Sequence, residues 1–323
     1  MEGTTNIMEK LSFVIPCYGS ELTIEFVINE IDAIMSQRPE YEYEIICVND
    51  CSPDNVLSVL RNIVATNPRV AVADLTRNMG KHAAVMAGYS LINGDIIINL
   101  DDDGQCPMPD LWDLIEPLND GYDMSMAKYP EKKQSRFKNF GSSVNRRMSQ
   151  SLLDRPKGMS IENFSAVKRF VIDEILKYKN PYPYLEGLFL RTTSRIANVE
   201  MEQRERISGS GYFTFYKSLK LWLNGFTAFS VKPLRLASFF GMIVAIVGFI
   251  AGLGIIIRKL FFVPEMQMGY PSLIVALLFL GGVIMIMLGL LGEYIGRIYI
   301  SLNNSPQYVI REVFKDNVDT ENH

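Results

Sequence analysis

Two long uncharged stretches near the carboxyl end place the strongest constraint on how this chain can fold. Residues 237–257 carry no charged side chain over 21 positions, and residues 266–292 carry none over 27. As helices rising about 1.5 Å per residue, both are long enough to cross a hydrocarbon layer of ~30 Å. The alternative is two buried core helices, but such helices seldom stay apolar on every side for so long. The sequence therefore predicts a hairpin of two membrane-spanning helices.

The short segment between the two stretches puts both flanking regions on one side of the membrane. Basic residues in those flanks outnumber the pair Arg258 and Lys259 in the connector, which favours a cytoplasmic location for the flanks. The first apolar segment, residues 11–15, is too short for a signal peptide. We expect a multi-pass protein of the cell (inner or plasma) membrane with this organisation: a cytoplasmic domain at 1–212, an interfacial amphipathic or ordinary packing helix within 213–232, spans at 233–258 and 271–292, an external connector at 259–270 and a cytoplasmic tail at 293–323.

The first hundred residues alternate between short apolar runs and amphipathic segments. The pattern predicts strands at 11–17, 43–49, 70–75 and 95–100 and helices at 21–36, 54–66 and 80–92. Such alternation is typical of an α/β fold with a doubly wound, mostly parallel sheet. Ligands of these sheets bind at the carboxyl ends of the strands.

The net charge of −4 conceals an uneven distribution. Residues 1–127 hold 6 basic and 21 acidic side chains, whereas residues 128–323 hold 26 basic and 15 acidic. The overall acidity argues against a nucleic-acid partner. The densest basic segment, 128–157, suits anionic lipid headgroups or a lipid phosphate, although a solvated basic face has the same composition. The four cysteines lack CxxC spacing, and we expect free thiols at Cys17, Cys47, Cys51 and Cys106.

Three consecutive carboxylates, Asp101, Asp102 and Asp103, follow the apolar run at 95–100. Adjacent acids repel one another unless a cation lies nearby. If the strand alternation continues, Asp101 and Asp103 share a side and Asp102 points away. With Gln105, the pair could supply oxygen ligands to Mg²⁺ or Mn²⁺. A solvated acidic turn is the alternative.

Three further polar segments each allow a functional and a plain structural interpretation. Asp50 can accept hydrogen bonds from a base edge, or its segment caps the next helix. Arg77 and Lys81 flank a glycine before a helix, which suits an anion or a surface turn. Arg204 and Arg206 precede the Gly/Ser-rich residues 208–211, which suits phosphate gripping or a linker. The only histidines are His82 and His323, so no histidine-based metal site or triad can form.

Taken together, several motifs resemble those of polyprenyl-phosphate glycosyltransferases, a membrane branch of the family-two inverting glycosyltransferases that includes the dolichyl-phosphate mannose synthase and bactoprenol glucosyltransferase types. The family's Pro-x-Tyr-Asn-Glu stands here as Pro16-Cys17-Tyr18-Gly19-Ser20-Glu21, and its Asp-Asp-Gly-Ser as Asn49-Asp50-Cys51-Ser52. The motifs Arg77-Asn78-Met79-Gly80 through Gly88, Asp101-x-Asp103-x-Gln105-x-Pro107 and Gly292-Glu293-Tyr294 with Pro306-Gln307-Tyr308 are intact. The family's Asp-x-Gly-x-Phe-Arg is replaced by Ser160-Ile161-Glu162-Asn163-Phe164-Ser165.

The resemblance implies a GT-A fold and inverting, metal-dependent transfer of a sugar from a UDP- or GDP-sugar to polyprenyl (undecaprenyl) phosphate. The product would be a lipid-linked monosaccharide for cell-envelope glycan modification, made at the cytoplasmic face. By position, the resemblance implies these roles: catalysis by Asp103, Arg204 and Arg136; nucleotide-sugar binding by Pro16, Tyr18, Glu21, Asp50, Lys81, Asp101 and Asp102; acceptor-phosphate binding by Arg136, Arg206 and Ser210; and Mg²⁺ or Mn²⁺ binding by Asp101, Asp103 and Gln105.

Two other functions share the early motifs. A processive polysaccharide synthase would carry Gln-x-x-Arg-Trp and more spans, but neither Trp112 nor Trp222 lies in that setting. A non-catalytic membrane tether would not need the metal triplet. Small residues recur every four positions in two runs of the first span, Ala237, Gly241 and Ala245 and then Gly248 and Gly252, and allow close helix contact within the hairpin or in a homo-oligomer.

Overall fold

Strands and helices alternate through the first part of the chain as the apolar runs predict. The computed structural model describes residues 9–130, 158–205, 232–261, 269–302 and 306–315. Within them the order is β1 (Lys10–Cys17), α1 (Ile24–Met35), β2 (Glu42–Asn49), α2 (Val56–Val64), β3 (Val70–Leu75), α3 (Lys81–Tyr89), β4 (Ile96–Asn99), a 3₁₀ turn (Met108–Asp110), α4 (Leu111–Asn119) and β5 (Met124–Lys128). The chain continues with β6 (Ser165–Lys168), α5 (Arg169–Ile175), α6 (Leu185–Thr192), β7 (Ile196–Glu200), α7 (Lys232–Phe261), α8 (Tyr270–Leu302) and β8 (Ile310–Phe314).

All eight described strands join one sheet, in the order β7-β5-β6-β4-β1-β2-β3-β8. The central strands β4, β1, β2 and β3 are parallel. Strand β6 is antiparallel to both β4 and β5, and β8 is antiparallel to β3. The α/β fold is therefore as predicted, with a parallel centre and mixed flanks. The parallel centre brings the carboxyl ends of four neighbouring strands to one edge.

The core lies between this sheet and its helices. Helix α1 buries Ile24, Val27, Ile28, Ile31 and Met35, which recur at the three- and four-residue spacing of one helical face. Helix α3 is instead buried along most of its length, because its alanines and Gly88 let it lie close to the sheet. A Cβ atom at Gly88 would stand 2.5 Å from Val14 Cγ1, which explains the glycine there.

The carboxyl-terminal unit, Thr214–Asn303, contains the two long helices α7 and α8. Within the described residues, Phe279–Gly296 of α8 is long and apolar enough to cross a membrane, judged by length and composition, and Phe239–Ile250 of α7 is a shorter apolar stretch. The two helices contact each other: a Cβ at Gly241 would lie 3.7 Å from Met287 Cε. The predicted small-residue face therefore serves the hairpin itself at this position.

Some sequence expectations shift or lie outside the described residues. Helix α8 continues to Leu302, beyond the predicted end of the second span at 292. Most of the basic segment 128–157, and residues 213–231 of the segment expected to hold the interfacial or packing helix, lie outside the described residues. All four cysteines are free thiols, as expected, with only Cys51 exposed. The predicted domain boundaries stay a prediction, but residues 310–314, assigned to a tail, form a strand of the sheet.

Candidate active site

The loops after β1, β2, β3 and β4 meet at one edge of the sheet. These loops carry Tyr18, Asp50 and Asp101, and Lys81 follows the third loop as the first residue of α3. The parallel register places Cys17 beside Asn49 and Asn49 beside Asp74. Polar groups far apart in the sequence are thereby brought together, as expected from the strand ends.

Asp50 is a buried carboxylate that joins the loops after β2 and β3. Its Oδ1 accepts a hydrogen bond from the Met79 amide (2.7 Å) and its Oδ2 one from the Gly80 amide (2.9 Å). Gly80 has a φ of 86°, a conformation that favours glycine and turns these amides toward the carboxylate. Burial raises the pKa of Asp50, and the two amides act in the opposite direction. Asp50 thus fixes the loop immediately before α3.

The loops after β1 and β2 are linked by reciprocal bonds. The Gly19 amide donates to Ser52 Oγ (2.7 Å), and the Glu21 amide donates to Asp54 Oδ2 (2.9 Å). Glu21 in turn accepts the Asn55 amide through Oε2 (2.8 Å). Glu21 therefore holds the start of α2, while the Tyr18 side chain is 44% exposed at the same edge. Pro16 lies within β1 and lines the adjoining cleft.

The three aspartates lie in a turn after β4, not in the strand. Strand β4 ends at Asn99, and Gly104 closes the turn with a φ of 73°. The strand alternation invoked for the triplet therefore does not apply. The carboxylates nevertheless point to different partners: Asp101 to Lys81 and to Asn163 Nδ2 (3.0 Å), and Asp102 to the Tyr18 amide (3.0 Å).

Hydrogen bonds to neighbouring loop residues hold both the side chain and the backbone of Asp102. Besides the Tyr18 amide at its carboxylate, its backbone oxygen accepts a hydrogen bond from Thr23 Oγ1 (2.6 Å). Burial raises the pKa of Asp102 to about 6, and the charges of Asp101 and Asp103 add to that rise. Asp102 therefore shapes the loop after β1.

Asp103 and Gln105 lie where the chain meets the segment around Arg204. The Gln105 amide donates to Asp103 Oδ1 (3.1 Å), and Gln105 Nε2 donates to the Arg204 backbone oxygen (3.2 Å). The Arg204 amide returns a bond to the Gln105 oxygen (3.2 Å). The Arg204 guanidinium forms an ion pair with Glu30 on α1 (2.6 Å). The backbone of Arg204 thus contacts Gln105, next to the acidic turn formed by Asp101, Asp102 and Asp103. Its guanidinium points instead to Glu30 on α1.

A cleft opens beside Asp101. Its wall is a continuous hydrogen-bond chain: Tyr89 Oη to Asn99 Oδ1 (2.7 Å), Asn99 Nδ2 to Ser165 Oγ (3.0 Å), Ser165 Oγ to the Asn163 oxygen (3.3 Å) and Asn163 Nδ2 to Asp101. His82 also lines the cleft, edge-on to Tyr184 with ring centroids 5.4 Å apart. Burial, followed by the charge of Lys81, lowers the pKa of His82 to about 4. The cleft lining therefore combines this neutral hydrogen-bond chain with charged side chains at Lys81, Asp101, Glu162 and Glu186.

Comparison with known proteins decides the family. Residues 12–177 match the family described as Glycosyl transferase family 2, and residues 232–298 match the GtrB C-terminal hairpin. The chain belongs to glycosyl transferase family 2. The resemblance seen in the motifs is thereby confirmed, and this family-two enzyme is a glycosyltransferase with a carboxyl-terminal hairpin.

Similar proteins match the enzyme over nearly its whole length. The SfII prophage-derived bactoprenol glucosyl transferase of Shigella flexneri is 33% identical, covering 95% of this chain and 99% of that protein. An undecaprenyl-phosphate 4-deoxy-4-formamido-L-arabinose transferase of Klebsiella pneumoniae is 30% identical, covering 95% and 94%. A crystal structure of a mycobacterial protein superposes with a TM-score of 0.50 at 19% identity, covering 68% of this chain and 75% of that one, which supports the fold.

The structure of the family-two enzyme does not describe every predicted site residue. Arg136, Arg206 and Ser210 lie outside the described residues, and their roles stay predictions. The sequence did not predict the series of hydrogen bonds that runs from Tyr89 to Asp101. It also did not predict that Arg311 on β8 contacts Asp74 at the end of β3. Asn99 and Ser165 sit at the ends of apolar strands, a signal that could have marked them.

Proposed function

We propose that the enzyme transfers one sugar from a nucleotide-sugar donor, a UDP- or GDP-sugar, to a polyprenyl phosphate, with inversion at the sugar carbon. The observation that carries the proposal is the Lys81–Asp101 ion pair at the mouth of the cleft, surrounded by the loops of four parallel strands. Relatives named for bactoprenol and undecaprenyl phosphate, matched over 95% of the chain, support the acceptor class.

The donor end of the site is assigned to the loops after β1, β2 and β3. In the proposal, the exposed Tyr18 ring and the loop held by Asp50 receive the nucleoside, and Pro16 and Glu21 shape that loop. Lys81 follows Gly80 at the start of α3, where backbone amides and a cation favour an anion. This arrangement suits the diphosphate of the donor.

A divalent ion, Mg²⁺ or Mn²⁺, fits the acidic turn. Within the residues that the structure describes, no group of three or more His, Cys, Asp or Glu side chains is arranged to hold a metal. Asp101 and Asp103 instead offer two carboxylates beside Gln105, and Mg²⁺ is often held by one or two carboxylates with substrate phosphates completing its shell. Lys81 pairs with Asp101 and occupies the place of a cation beside that carboxylate. When bound, the ion would neutralise the leaving diphosphate.

The acceptor needs little activation. A phosphate monoester is largely ionised at neutral pH, since its second pKa is about 6, so no strong general base is required. The protein's work is to position the two substrates and to stabilise charge on the diphosphate. We assign the acceptor phosphate to Arg136, Arg206 and Ser210, and expect Arg204 to turn from Glu30 toward phosphate when substrate is present.

The proposal places the reaction at the membrane. The apolar segment Phe279–Gly296 and the match of residues 232–298 to a carboxyl-terminal hairpin support membrane association. We further propose two spans in the cell membrane, a cytoplasmic catalytic domain and a lipid-linked monosaccharide used in cell-envelope glycan modification. A homo-oligomer also stays a prediction.

The test compares two aspartates in membranes supplied with labelled UDP- and GDP-sugars and undecaprenyl phosphate. Asp103→Asn should lower transfer to lipid by roughly 100-fold or more, because half of the carboxylate pair is lost. Asp113→Asn, on the exposed side of α4, is the matched control and should transfer normally. Unimpaired transfer by Asp103→Asn would contradict the assigned site.

A further inference from the structure

Strand β8 adds an edge to the catalytic sheet after the long helix α8 has ended. It pairs antiparallel with β3, matching Val72 with Phe314 and Asp74 with Glu312. The register then shifts, so that Leu75 pairs with Ile310 and Arg311 is the extra residue of a bulge. Bulges redirect a side chain away from the regular pleat. The Thr76 amide extends the pairing by donating to the Val309 oxygen (3.0 Å).

The bulge directs Arg311 to the carboxyl end of β3. Its Nη1 donates to Asp74 Oδ2 (3.1 Å), and its Nη2 donates to the Thr76 backbone oxygen (3.3 Å). The Asp74 side chain is only 3% exposed, whereas that of Arg311 is 57% exposed. A buried carboxylate requires compensation of its charge. The partly exposed Arg311 guanidinium therefore compensates the charge of the buried Asp74 carboxylate.

The second oxygen of Asp74 continues the connection into the donor loops. Asp74 Oδ1 accepts Asn49 Nδ2 (2.7 Å), and Asn49 Oδ1 accepts the Ser52 amide (3.1 Å). Two residues lie between Asn49 and Ser52. Asp50 fixes the loop before α3, and Cys51 has a φ of 50°, which is unfavourable for a residue with a Cβ atom. A loop with such a backbone keeps its shape only when its surroundings determine it.

We propose that Arg311 is a positioning residue for the nucleotide end of the donor site. Through Asp74 and Asn49 it fixes the loop of residues 49–52 in the shape that receives the nucleoside. This inference rests on the proposed function, because it assumes a nucleotide-sugar donor. It gives the carboxyl-terminal strand a role in donor affinity, separate from the chemistry at the acidic turn.

Glu312 provides a matched control on the same strand. It contacts Arg61 at 3.9 Å, and both side chains are more than half exposed. Glu312 is opposite Asp74 in the backbone register, but replacing its side chain removes only the surface contact with Arg61 and leaves the Arg311–Asp74 ion pair in place. Gln307, which anchors the approach to β8 by donating to the Tyr178 and Asn180 oxygens (2.7 and 2.8 Å), is left unchanged in every variant.

The experiment measures steady-state transfer to undecaprenyl phosphate and calorimetric binding of UDP and GDP, with full-length protein in detergent. Arg311→Ala should raise the KM for the donor and weaken the binding of UDP or GDP by about tenfold. This is the effect expected from losing a hydrogen bond to a charged group. We expect kcat and the KM for the lipid to change less than about twofold, since the acidic turn is untouched. Arg311→Lys should restore part of the affinity, and Glu312→Ala should behave as wild type.

Three outcomes would overturn the positioning role. The first is an unchanged donor KM and unchanged diphosphate binding in Arg311→Ala, and the second is an equal effect in Glu312→Ala. The third is a joint fall of kcat, donor affinity, lipid affinity and thermal stability in Arg311→Ala. Failure of the proposed function appears differently. In that case the wild-type protein itself would bind neither UDP nor GDP and form no lipid-linked sugar.

Discussion

The Lys81 ammonium at the start of α3 and the Asp101 carboxylate in the turn after β4 form an ion pair at the mouth of the cleft, although 20 positions separate them in the sequence. Asn163 holds the second oxygen of the same carboxylate (3.0 Å). The proposed metal and the proposed diphosphate each require one member of this pair. The pair therefore has to open when metal and donor bind, which frees Asp101 for the metal and Lys81 for phosphate.

Replacing Lys81 should have opposite effects on the two ligands. Lys81→Gln removes the competing cation from Asp101, so Mn²⁺ should bind the donor-free protein a few-fold more tightly, on the order of the 1 kcal/mol available to a partly exposed pair. The same variant should bind UDP and GDP more weakly. Calorimetric titrations with Mn²⁺ and with each nucleotide measure both effects. Arg77→Gln is the control for a nearby charge, and weaker Mn²⁺ binding by Lys81→Gln would contradict the account.

Stability should depend on pH through His82. Burial and Lys81 lower its pKa from 6.5 to about 4 in the folded protein. Below pH 6.5 the unfolded chain therefore takes up a proton that the folded protein does not, and stability falls as the pH falls from 6.5 toward 4. The His82 contribution is a loss on the order of 2 kcal/mol at pH 5, whereas Asp102, whose pKa burial raises to about 6, contributes a gain of about 1 kcal/mol over the same range, so the net decline is smaller.

The measurement is the melting temperature at pH 7 and pH 5 for wild type, His82→Gln and His323→Gln. His82→Gln should flatten the decline, and the variant at the only other histidine should not. An unchanged decline in His82→Gln would assign the pH dependence to another group.

Gly88 should not tolerate even a methyl group. In an ordinary helix interior, replacing glycine by alanine stabilises by up to about 1 kcal/mol. Here the new Cβ would meet Val14 Cγ1 at 2.5 Å and Val48 Cγ2 at 3.2 Å, so Gly88→Ala should instead destabilise by about 1–3 kcal/mol. Thermal unfolding measures the change. Adding Val14→Ala should recover part of the loss, and strictly additive effects of the two substitutions would argue against the contact.

The sequence predicted the parallel centre of the sheet because buried parallel strands are continuous apolar runs, as Val70–Leu75 shows. Strand β8 was missed since its sequence, IREVF, places charged Arg311 and Glu312 in the middle, and an edge strand is held by backbone pairing that apolar patterning does not reveal. The alternation argument for the acidic triplet failed because β4 ends at Asn99. The ion pair of Lys81 with Asp101 depends on how the start of α3 meets the turn after β4, which no local sequence pattern encodes.

Cys51 offers a test of the strained donor loop. Its φ of 50° places it in the left-handed region, which costs a residue with a Cβ atom about 1–2 kcal/mol. Cys51→Gly relieves this strain, but glycine loses more backbone entropy on folding, which leaves a net stabilisation of ~1 kcal/mol. The melting temperature should therefore rise by about 2–4 °C. Cys51→Ala removes the thiol without relieving the strain and should not do so, whereas Cys51→Val should lower the melting temperature. Equal melting temperatures for the Gly and Val variants would contradict a strained loop.

The most direct test of the central claim is the mass of the lipid product. Membranes containing the enzyme are incubated with undecaprenyl phosphate, Mg²⁺ and a panel of UDP- and GDP-sugars, and the lipids are analysed by mass spectrometry with and without EDTA. We predict that one donor yields undecaprenyl phosphate carrying a single sugar residue, and that EDTA abolishes this product. A series of products with increasing numbers of sugars would indicate a processive synthase, and donor binding without any lipid-linked sugar would indicate a non-catalytic protein; either result would contradict the account.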